Sequence, residues 1–147
     1  WPLEALKFAD KYLKERDCPL LIFQDRLNML DRAPLENGTL DYCHENGIGF
    51  ISFSPLAQGL LTDRYLNGIP ADSRMAKEHF LKHSALTPEL LEQLKQWNAE
   101  AGERGETLAE MALAWILHQK GVTSVLVGAS STAQLEKNMK CVHAKAF

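Results

Sequence analysis

The sequence FSPLAQGLL at residues 53–61 follows the short apolar run IGFIS at residues 48–52. The apolar run is typical of a buried β-strand, and a Ser-Pro pair followed by small residues and a glycine predicts a sharp turn directly after it. Such a turn lies at the carboxyl end of a strand, where parallel α/β proteins hold their ligands. We therefore expect this turn to cradle a phosphate-bearing ligand with its backbone N–H groups.

The segments before this turn alternate between helix and strand. Apolar residues at helical spacing predict a helix over residues 2–16, and the run LLIF at residues 20–23 predicts a strand buried on both faces. Residues 35–46 carry a second helical pattern, which Gly47 closes as a left-handed C-terminal cap. The order helix, strand, helix, strand is typical of a parallel sheet with right-handed crossovers.

The segments after the turn begin with a polar stretch, residues 62–86, that shows little periodicity. Loops of this length in a compact domain are usually either functional or mobile. Thr87 then predicts the N-cap of a helix that begins at Pro88. Thr107 and Glu110 have the spacing of a capping box, so another helix is expected to follow.

A third β-rich run at residues 122–127 leads into a second tight turn at residues 128–130. Ser131 and Gln134 match a capping box for a final helix over residues 132–139. The helix N-terminus carries partial positive charge, so this turn also suits an anion.

Length and composition describe an ordinary α/β domain. The chain has 147 residues, a net charge of -3 and 46% hydrophobic residues, which is enough for a core. No basic run of the nucleic-acid-binding type occurs, and no apolar stretch approaches the roughly 20 residues of a membrane helix. The three cysteines are widely spaced and odd in number, which favours structural thiols in a reducing compartment, the cytoplasm.

Three parallel strands are too few to cover their helices and protect their own edges. A (β/α)8 barrel needs roughly 250 residues, and in such barrels a phosphate site often forms from the loops after the last two strands. We therefore predict that residues 1–147 are a single partial domain, the C-terminal portion of a (β/α)8 TIM barrel. Because the chain starts at Trp1, we interpret it as a piece of a larger chain.

Several polar residues have a functional and a structural interpretation. Gln24 at a strand end could hydrogen-bond an amide, and Arg64 and Arg74 could clamp a phosphate, but all three could equally be solvated. His79 and His83 have the spacing of two helical metal ligands, yet no third ligand follows at a usual spacing, so we predict no metal site. Taken singly, each tight turn is also compatible with an ordinary structural role. We find no nucleophile with a positioned base, and no paired carboxylates with a catalytic rationale.

The two turns, with their flanking residues, resemble the aldo-keto reductase family. The resemblance rests on residues 53–62, 64–66, 68–70 and 73–74, and on residues 122–130 with Gln134-Leu135 and Asn138 after them. It extends to about residue 142 and is similar above all to the bacterial glyceraldehyde-3-phosphate reductases and the potassium-channel β-subunits. The family fold is a (β/α)8 barrel that binds NADPH in an extended pose.

The resemblance implies a role for each matching position. Gln24 would hold the nicotinamide carboxamide, and Phe53 would place an aromatic ring against the nicotinamide. The pyrophosphate would be lined by Ser54, Leu56, Gln58 and Gly59, with Arg64 supplying positive charge. The adenosine and its 2′-phosphate would be surrounded by Arg74, Gly128, Ser130, Gln134 and Asn138.

The sequence departs from the family pattern at the adenine end. Lys137 stands where the family usually has an acidic residue, and Asp72 stands where some relatives have tyrosine. The choice between NADP and NAD therefore stays open. The family's catalytic Asp, Tyr, Lys and His lie on earlier strands and loops and match no position here.

Three functional hypotheses follow from the resemblance. The first is the NADP-binding portion of a reductase acting on small aldehydes or ketones, with catalytic residues supplied by the intact parent, so that this chain alone is inactive. The second is an NADP-sensing module similar to a channel β-subunit, which associates with a membrane protein. The third is an inactive truncation that self-associates as a homo-oligomer or depends on the missing N-terminal half. No hypothesis involves nucleic acid or direct membrane insertion.

Overall fold

A computed structural model describes residues 1–71, 73, 75–76, 81–145 and 147. The helices and strands of the described residues are α1 (Leu3–Lys14), β1 (Ile22–Arg26), α2 (Ala33–Glu36), α3 (Thr39–Glu45), β2 (Gly49–Phe53), α4 (Pro88–Arg104), α5 (Leu108–Leu117), β3 (Val122–Val125) and α6 (Thr132–Met139). They fall into two compact units. Unit 1 comprises Trp1–Pro55 and Trp115–Val127, and unit 2 comprises Leu56–Ala114 and Gly128–Phe147.

Unit 1 contains a parallel three-stranded sheet in the order β1-β2-β3. Phe23 of β1 lies opposite Phe50 of β2, and the register between β2 and β3 shifts after Phe50. Because β2 is the central strand, both of its neighbours end close to its own carboxyl end. The predicted parallel sheet is thus confirmed.

One face of this sheet is covered by the apolar sides of α1 and α3 and by the end of α5 that belongs to unit 1, residues 115–117. The buried cluster on that face consists of residues at most 3% exposed, namely Leu6, Leu27, Leu40, Cys43, Ile48, Phe50 and Ile116. Gly121, with φ of 98°, ends the turn that leads into β3, and a Cβ there would lie 3.1 Å from the Cβ of His44. A side chain at position 121 would therefore push α3 away from the sheet.

The prediction that residues 20–23 form a strand buried on both faces is wrong. The strand runs over Ile22–Arg26, and Leu21 and Ile22 are 72% and 56% exposed. β1 lies at the edge of the sheet, and helices of unit 1 cover only the face that carries Phe23. The opposite face of β1 stays open in this chain.

The predicted helix over residues 35–46 is interrupted. Gly38 adopts φ of 80° between α2 and α3, and the side-chain oxygen of Asn37 accepts the backbone N–H of Thr39 at 2.9 Å. An Asn-Gly pair offers the backbone this local alternative to a continuous helix. The left-handed cap at Gly47 is confirmed, with φ of 68°.

The predicted caps of unit 2 are present. The hydroxyl of Thr87 accepts the N–H of Leu90 at 3.2 Å, so α4 begins where the sequence predicts. The capping box of α5 is complete, since Thr107 N–H donates to the Glu110 carboxylate at 2.7 Å and Glu110 N–H donates to the Thr107 hydroxyl at 3.2 Å. The buried side chains of α5 include Leu108, Met111, Ala112 and Leu113, all 0% exposed.

The end of unit 2 is held by charged groups rather than by apolar packing. Arg104 donates to the Lys145 carbonyl at 2.6 Å and pairs with the Glu106 carboxylate at 3.1 Å. Glu106 in turn accepts the Lys145 N–H at 3.2 Å, and the Phe147 ring lies 4.2 Å from the Arg104 guanidinium. These contacts dock the last described residues against the end of α4.

A buried carboxylate joins α1 to α3 in unit 1. Asp10 is 2% exposed, and its Oδ2 accepts both the Lys14 ammonium at 2.8 Å and the Tyr42 hydroxyl at 2.9 Å. Burial raises the pKa of Tyr42 above its ordinary value of 10.0, and the hydrogen bond to Asp10 adds to the rise. The pair therefore depends on a protonated Tyr42.

We expect Tyr42→Phe to lower the free energy of unfolding by about 1–3 kcal/mol, because it removes a donor from a buried charged acceptor. The contribution of Tyr42 is complete below its ordinary pKa of 10.0 and is lost as the pH rises through its raised folded-state pKa, so the deficit of the variant should shrink above that pH. Urea denaturation at several pH values measures both effects. Tyr12→Phe on the exposed side of α1 is the matched control, and equal losses in the two variants would contradict the role of Asp10.

Candidate functional site

The turn after β2 has an unusual backbone. Ser54, Ala57 and Gln58 adopt left-handed conformations with φ of 51°, 46° and 59°, and Asp17 is the one further non-glycine residue with positive φ among the described residues. Each such residue costs roughly 1–2 kcal/mol relative to ordinary backbone geometry. Strain of this kind concentrates at ligand-binding and catalytic positions, so it supports a functional interpretation of this turn.

The carbonyl groups of the same turn are engaged within it. The Leu56 carbonyl accepts the N–H groups of Gly59 at 2.8 Å and Leu61 at 3.2 Å, and the Gly59 carbonyl accepts the Thr62 hydroxyl at 2.7 Å. The N–H groups of Gly59, Leu60 and Leu61 are therefore bonded within the turn and do not face a ligand, contrary to the expectation that the backbone N–H groups of the turn are free. Phosphate binding by the earlier residues of this segment stays a prediction.

Asn28 ties the ends of β1 and β2 together within unit 1. This side chain is 1% exposed, and its Oδ1 accepts the N–H groups of Leu30 and Asp31 at 2.9 Å each. Its Nδ2 donates to the Ser54 carbonyl at 3.0 Å. Asn28 therefore positions the first residue of the strained turn.

The sequence analysis assigned no role to Asn28. The available signal was an asparagine shortly after a strand, which often closes its own turn through its side chain. The hydrogen bond to Ser54 joins the ends of two strands that are distant in the sequence, so no local sequence pattern predicts it.

The open face of the sheet carries the predicted nicotinamide contacts. Gln24 lies opposite Ile51, and Arg26 lies opposite Phe53, all on the face away from the apolar cluster. The Arg26 guanidinium lies 5.6 Å from the centre of the Phe53 ring. The structure thus brings Gln24 and Phe53 to one face and adds Arg26, which the sequence analysis did not single out.

The second turn of unit 2 is closed by Gln134. Its Oε1 accepts both the N–H of Ser130 at 2.7 Å and the hydroxyl of Ser130 at 3.0 Å, while the Ser131 hydroxyl accepts the Gln134 N–H at 3.2 Å. The N-cap at Ser131 is confirmed, but the reciprocal bond goes to Ser130. The backbone N–H and the hydroxyl of Ser130 are therefore both hydrogen-bonded to Gln134 in this chain.

Asn138 of α6 is 5% exposed, and its Nδ2 has no hydrogen-bond partner among the residues that the structure describes. A buried amide nitrogen without a partner is costly, which suits a donor kept for a ligand. Its predicted place beside the adenine fits this chemistry.

Arg64 belongs to a second part of unit 2. It follows Thr62, whose hydroxyl caps the short helical turn Asp63–Tyr65 by accepting the Arg64 N–H at 3.2 Å. An open cleft of about 410 Å³ is lined by Asp63, Arg64, Asn67, Gly68, Ile69 and Pro70. Arg74 and Asp72, which the sequence analysis also singled out, lie outside the described residues.

The thiols and histidines offer little alternative chemistry. Burial raises the pKa of Cys43 to about 11, and burial also raises the pKa of Cys141, so both are poor nucleophiles. Cys18 is exposed. No group of three potential metal-binding side chains occurs in the described part of the chain, and His79 lies outside that part. No described helix is both long and apolar enough to cross a membrane.

The described residues form a parallel α/β sheet whose central strand leads into a turn with left-handed backbone residues, which is typical of (β/α) proteins. The model of the aldo/keto reductase family matches residues 2–146. The chain therefore belongs to the aldo/keto reductase family, as its resemblance predicts.

Three curated relatives show where in the family the chain lies. It is 47% identical to L-glyceraldehyde 3-phosphate reductase of Escherichia coli (strain K12), over 92% of this chain and 40% of the relative. It is 38% identical to a probable voltage-gated potassium channel subunit beta of Arabidopsis thaliana, over 83% of this chain and 38% of the relative. It is 35% identical to the NADH-specific methylglyoxal reductase of E. coli K12, over 83% and 37%. The chain spans about two fifths of the length of these relatives.

A solved structure confirms the fold. The crystal structure of a thermostable aldo-keto reductase with the inhibitor epalrestat matches 93% of this chain and 39% of its own chain, with a TM-score of 0.64 and 21% identity. The parallel sheet of unit 1 is accordingly a portion of a (β/α)8 TIM barrel.

We expect Ala57→Gly to leave the free energy of unfolding unchanged or raise it by up to about 1 kcal/mol, because relief of the left-handed strain offsets the greater backbone freedom of glycine. Ala99→Gly, on the exposed side of α4, should instead cost about 1 kcal/mol. Denaturant titration of both variants measures the difference. Equal destabilisation of the two would contradict strain at Ala57.

We expect Asn28→Asp to lower the free energy of unfolding by about 1–3 kcal/mol at neutral pH, because a carboxylate would face the Ser54 carbonyl without a donor. The loss should shrink at acidic pH, where a protonated carboxyl can donate again. Asn37→Asp is the control, since exposed Asn37 only accepts from Thr39. A pH-independent loss at position 28 would show that the donor to Ser54 is unimportant.

Proposed function

We propose that this chain is the NADP(H)-binding portion of an aldo-keto reductase that reduces aldehydes or ketones. The observation that carries the proposal is the run of left-handed residues Ser54, Ala57 and Gln58 at the end of the central strand. Strained residues of this kind concentrate at ligand-binding positions. A turn that contacts the cofactor in a member of this family would account for them.

Each unit contributes its own set of contacts in this proposal. In unit 1, Gln24 hydrogen-bonds the nicotinamide carboxamide and Phe53 packs against the ring. In unit 2, the turn from Leu56 through Gln58 to Gly59 binds the pyrophosphate, and Arg64 neutralises part of its charge. Gly128, Ser130, Gln134 and Asn138 of unit 2, with Arg74, contact the adenosine and its phosphate.

When bound, the nicotinamide supplies a hydride to a carbonyl carbon, while a proton acid completes the alcohol. The family's catalytic residues match no position in this chain, and the two carboxylates beside Arg26, those of Asp25 and Asp31, lie 2.8 Å from its backbone N–H and 3.7 Å from its guanidinium. We propose that the proton donor lies in the remainder of the intact protein. The chain by itself would then bind cofactor without turning over substrate.

The alternative is an NADP-sensing module similar to a channel β-subunit. Its support is the 38% identity to the Arabidopsis relative, against 47% to the E. coli reductase. The Ala57-Gln58-Gly59 sequence resembles the bacterial reductases, so the enzyme is the favoured function. Co-purification of the intact protein with a membrane channel would favour the module instead.

Addition of saturating NADPH to the intact protein should quench tryptophan fluorescence and raise the melting temperature, because ligand binding to the folded state stabilises it. A small aldehyde should then be reduced with matching consumption of NADPH. A parallel titration with NADH tests whether the protein, which has Lys137 where the family usually has an acidic residue, prefers NADP or NAD. Absence of any fluorescence or melting response to both cofactors would refute the proposal.

Arg64→Met should weaken NADPH binding about tenfold, because a charge-assisted contact to phosphate contributes about 1.5–3 kcal/mol and part of it is lost to solvent screening. The affinity of the variant should also depend less on salt. Arg16→Met, on the exposed end of α1, is the matched control. An unchanged dissociation constant for NADPH in Arg64→Met would show that Arg64 does not contact the cofactor.

A further inference from the structure

Arg26 is a cation on the same sheet face as Gln24 and Phe53. It is the last residue of β1, where it lies opposite Phe53, and residues 24 and 26 of one strand point to the same side. Its side chain is 55% exposed, and its guanidinium lies 5.6 Å from the centre of the Phe53 ring. The structure therefore holds a positive charge beside the ring that the proposed function places against the nicotinamide.

The local partners of Arg26 do not neutralise it. Asp31 approaches the guanidinium at 3.7 Å, a single contact at the limit of an ion pair, and its side chain is 38% exposed. Such surface pairs contribute little, and one contact leaves most of the five donors of an arginine available. The Asp25 carboxylate accepts the backbone N–H of Arg26 at 2.8 Å, which fixes the strand end rather than the guanidinium.

The guanidinium lies within cation–π range of the Phe53 ring, which favours this position of the side chain. A guanidinium stacked near an aromatic ring loses less freedom when it binds an anion than a flexible lysine would. A planar fork with two parallel N–H groups matches a carboxylate or a phosphate.

We propose that Arg26 is a specificity-determining residue that binds an anionic group, carboxylate or phosphate, on the carbonyl substrate. The inference rests on the proposed function, because it takes Phe53 as the nicotinamide contact. It deepens that function by assigning a substrate class: small aldehydes or ketones that carry a negative charge a few bonds from the carbonyl carbon.

The test compares two substrates that share the aldehyde and the carbon chain and differ in whether the far end is charged. The intact protein is assayed with NADPH and either 4-oxobutanoate, which carries a carboxylate, or its neutral methyl ester. We compare the acid-to-ester ratio of kcat/KM between the two proteins. This ratio should be about tenfold higher in the wild type than in Arg26→Met, mainly through KM, because the variant loses a partly exposed charge-assisted contact. Glyceraldehyde 3-phosphate against glyceraldehyde distinguishes phosphate from carboxylate as the preferred anion.

Three further variants separate anion binding from a structural role of Arg26. Arg26→Lys should retain part of the preference, since it keeps the charge but not the planar fork. Asp31→Asn should raise the preference for the charged substrate, because it removes the competing carboxylate. If the ion pair between Arg26 and Asp31 were merely structural, both variants should lose activity. Arg16→Met, which removes an arginine 3.5 Å from the Tyr12 ring on α1, should leave the ratio unchanged.

Wild-type protein alone also tests the proposal. Added salt should lower kcat/KM for the acid and leave that for the ester nearly constant, because salt screens only the charged contact. The proposal would be overturned if the acid-to-ester ratio in Arg26→Met lay within twofold of the wild-type ratio, or if salt affected the two substrates equally. In either case, NADPH-dependent reduction of the ester would still support the proposed function. Absence of NADPH-dependent reduction of either substrate would overturn both.

Discussion

The hydrogen bond from Asn28 Nδ2 to the Ser54 carbonyl joins the two strand ends on which the candidate site of unit 1 depends. The Oδ1 of the same side chain accepts two backbone N–H groups of its own loop. Movement of Asn28 would therefore leave two partly buried N–H groups without an acceptor. A neighbouring bond, from the Ser52 hydroxyl to the Leu27 carbonyl at 2.7 Å, reinforces the connection. Together they hold the chain at the point where it enters the left-handed run.

That run illustrates how strain and stability are balanced. Ser54, Ala57 and Gln58 each occupy a conformation that glycine would adopt at lower cost, yet the chain uses larger residues there. The surrounding bonds of Leu56, Gly59 and Thr62 compensate by satisfying the carbonyl groups of the turn. If this turn binds the cofactor as proposed, its rigidity would limit the ordering entropy lost on binding.

The open face of the sheet has a different physical basis. Unit 1 covers one face with helices and leaves Ile22, Gln24 and Arg26 on the other. In a complete barrel this face would point inward, where polar residues near strand ends serve ligands and apolar ones fill the interior. The mixture of Gln24, Arg26 and Phe53 at one end is consistent with a proposed site for a nicotinamide and a charged substrate.

The sequence by itself determined the order of elements, the caps at Thr87, Thr107 and Ser131, and the position of the turn after β2, because each follows from local spacing and backbone preference. The family resemblance, carried by that turn and the one before α6, was confirmed over residues 2–146. Only the tertiary structure decided that β1 is an edge strand with Leu21 and Ile22 exposed, since burial depends on which elements pack against it. The hydrogen bond of Asn28 to Ser54 and the approach of the Arg26 guanidinium to the Phe53 ring were likewise decided by strand pairing, which brings together residues more than 25 positions apart and leaves no trace in local sequence.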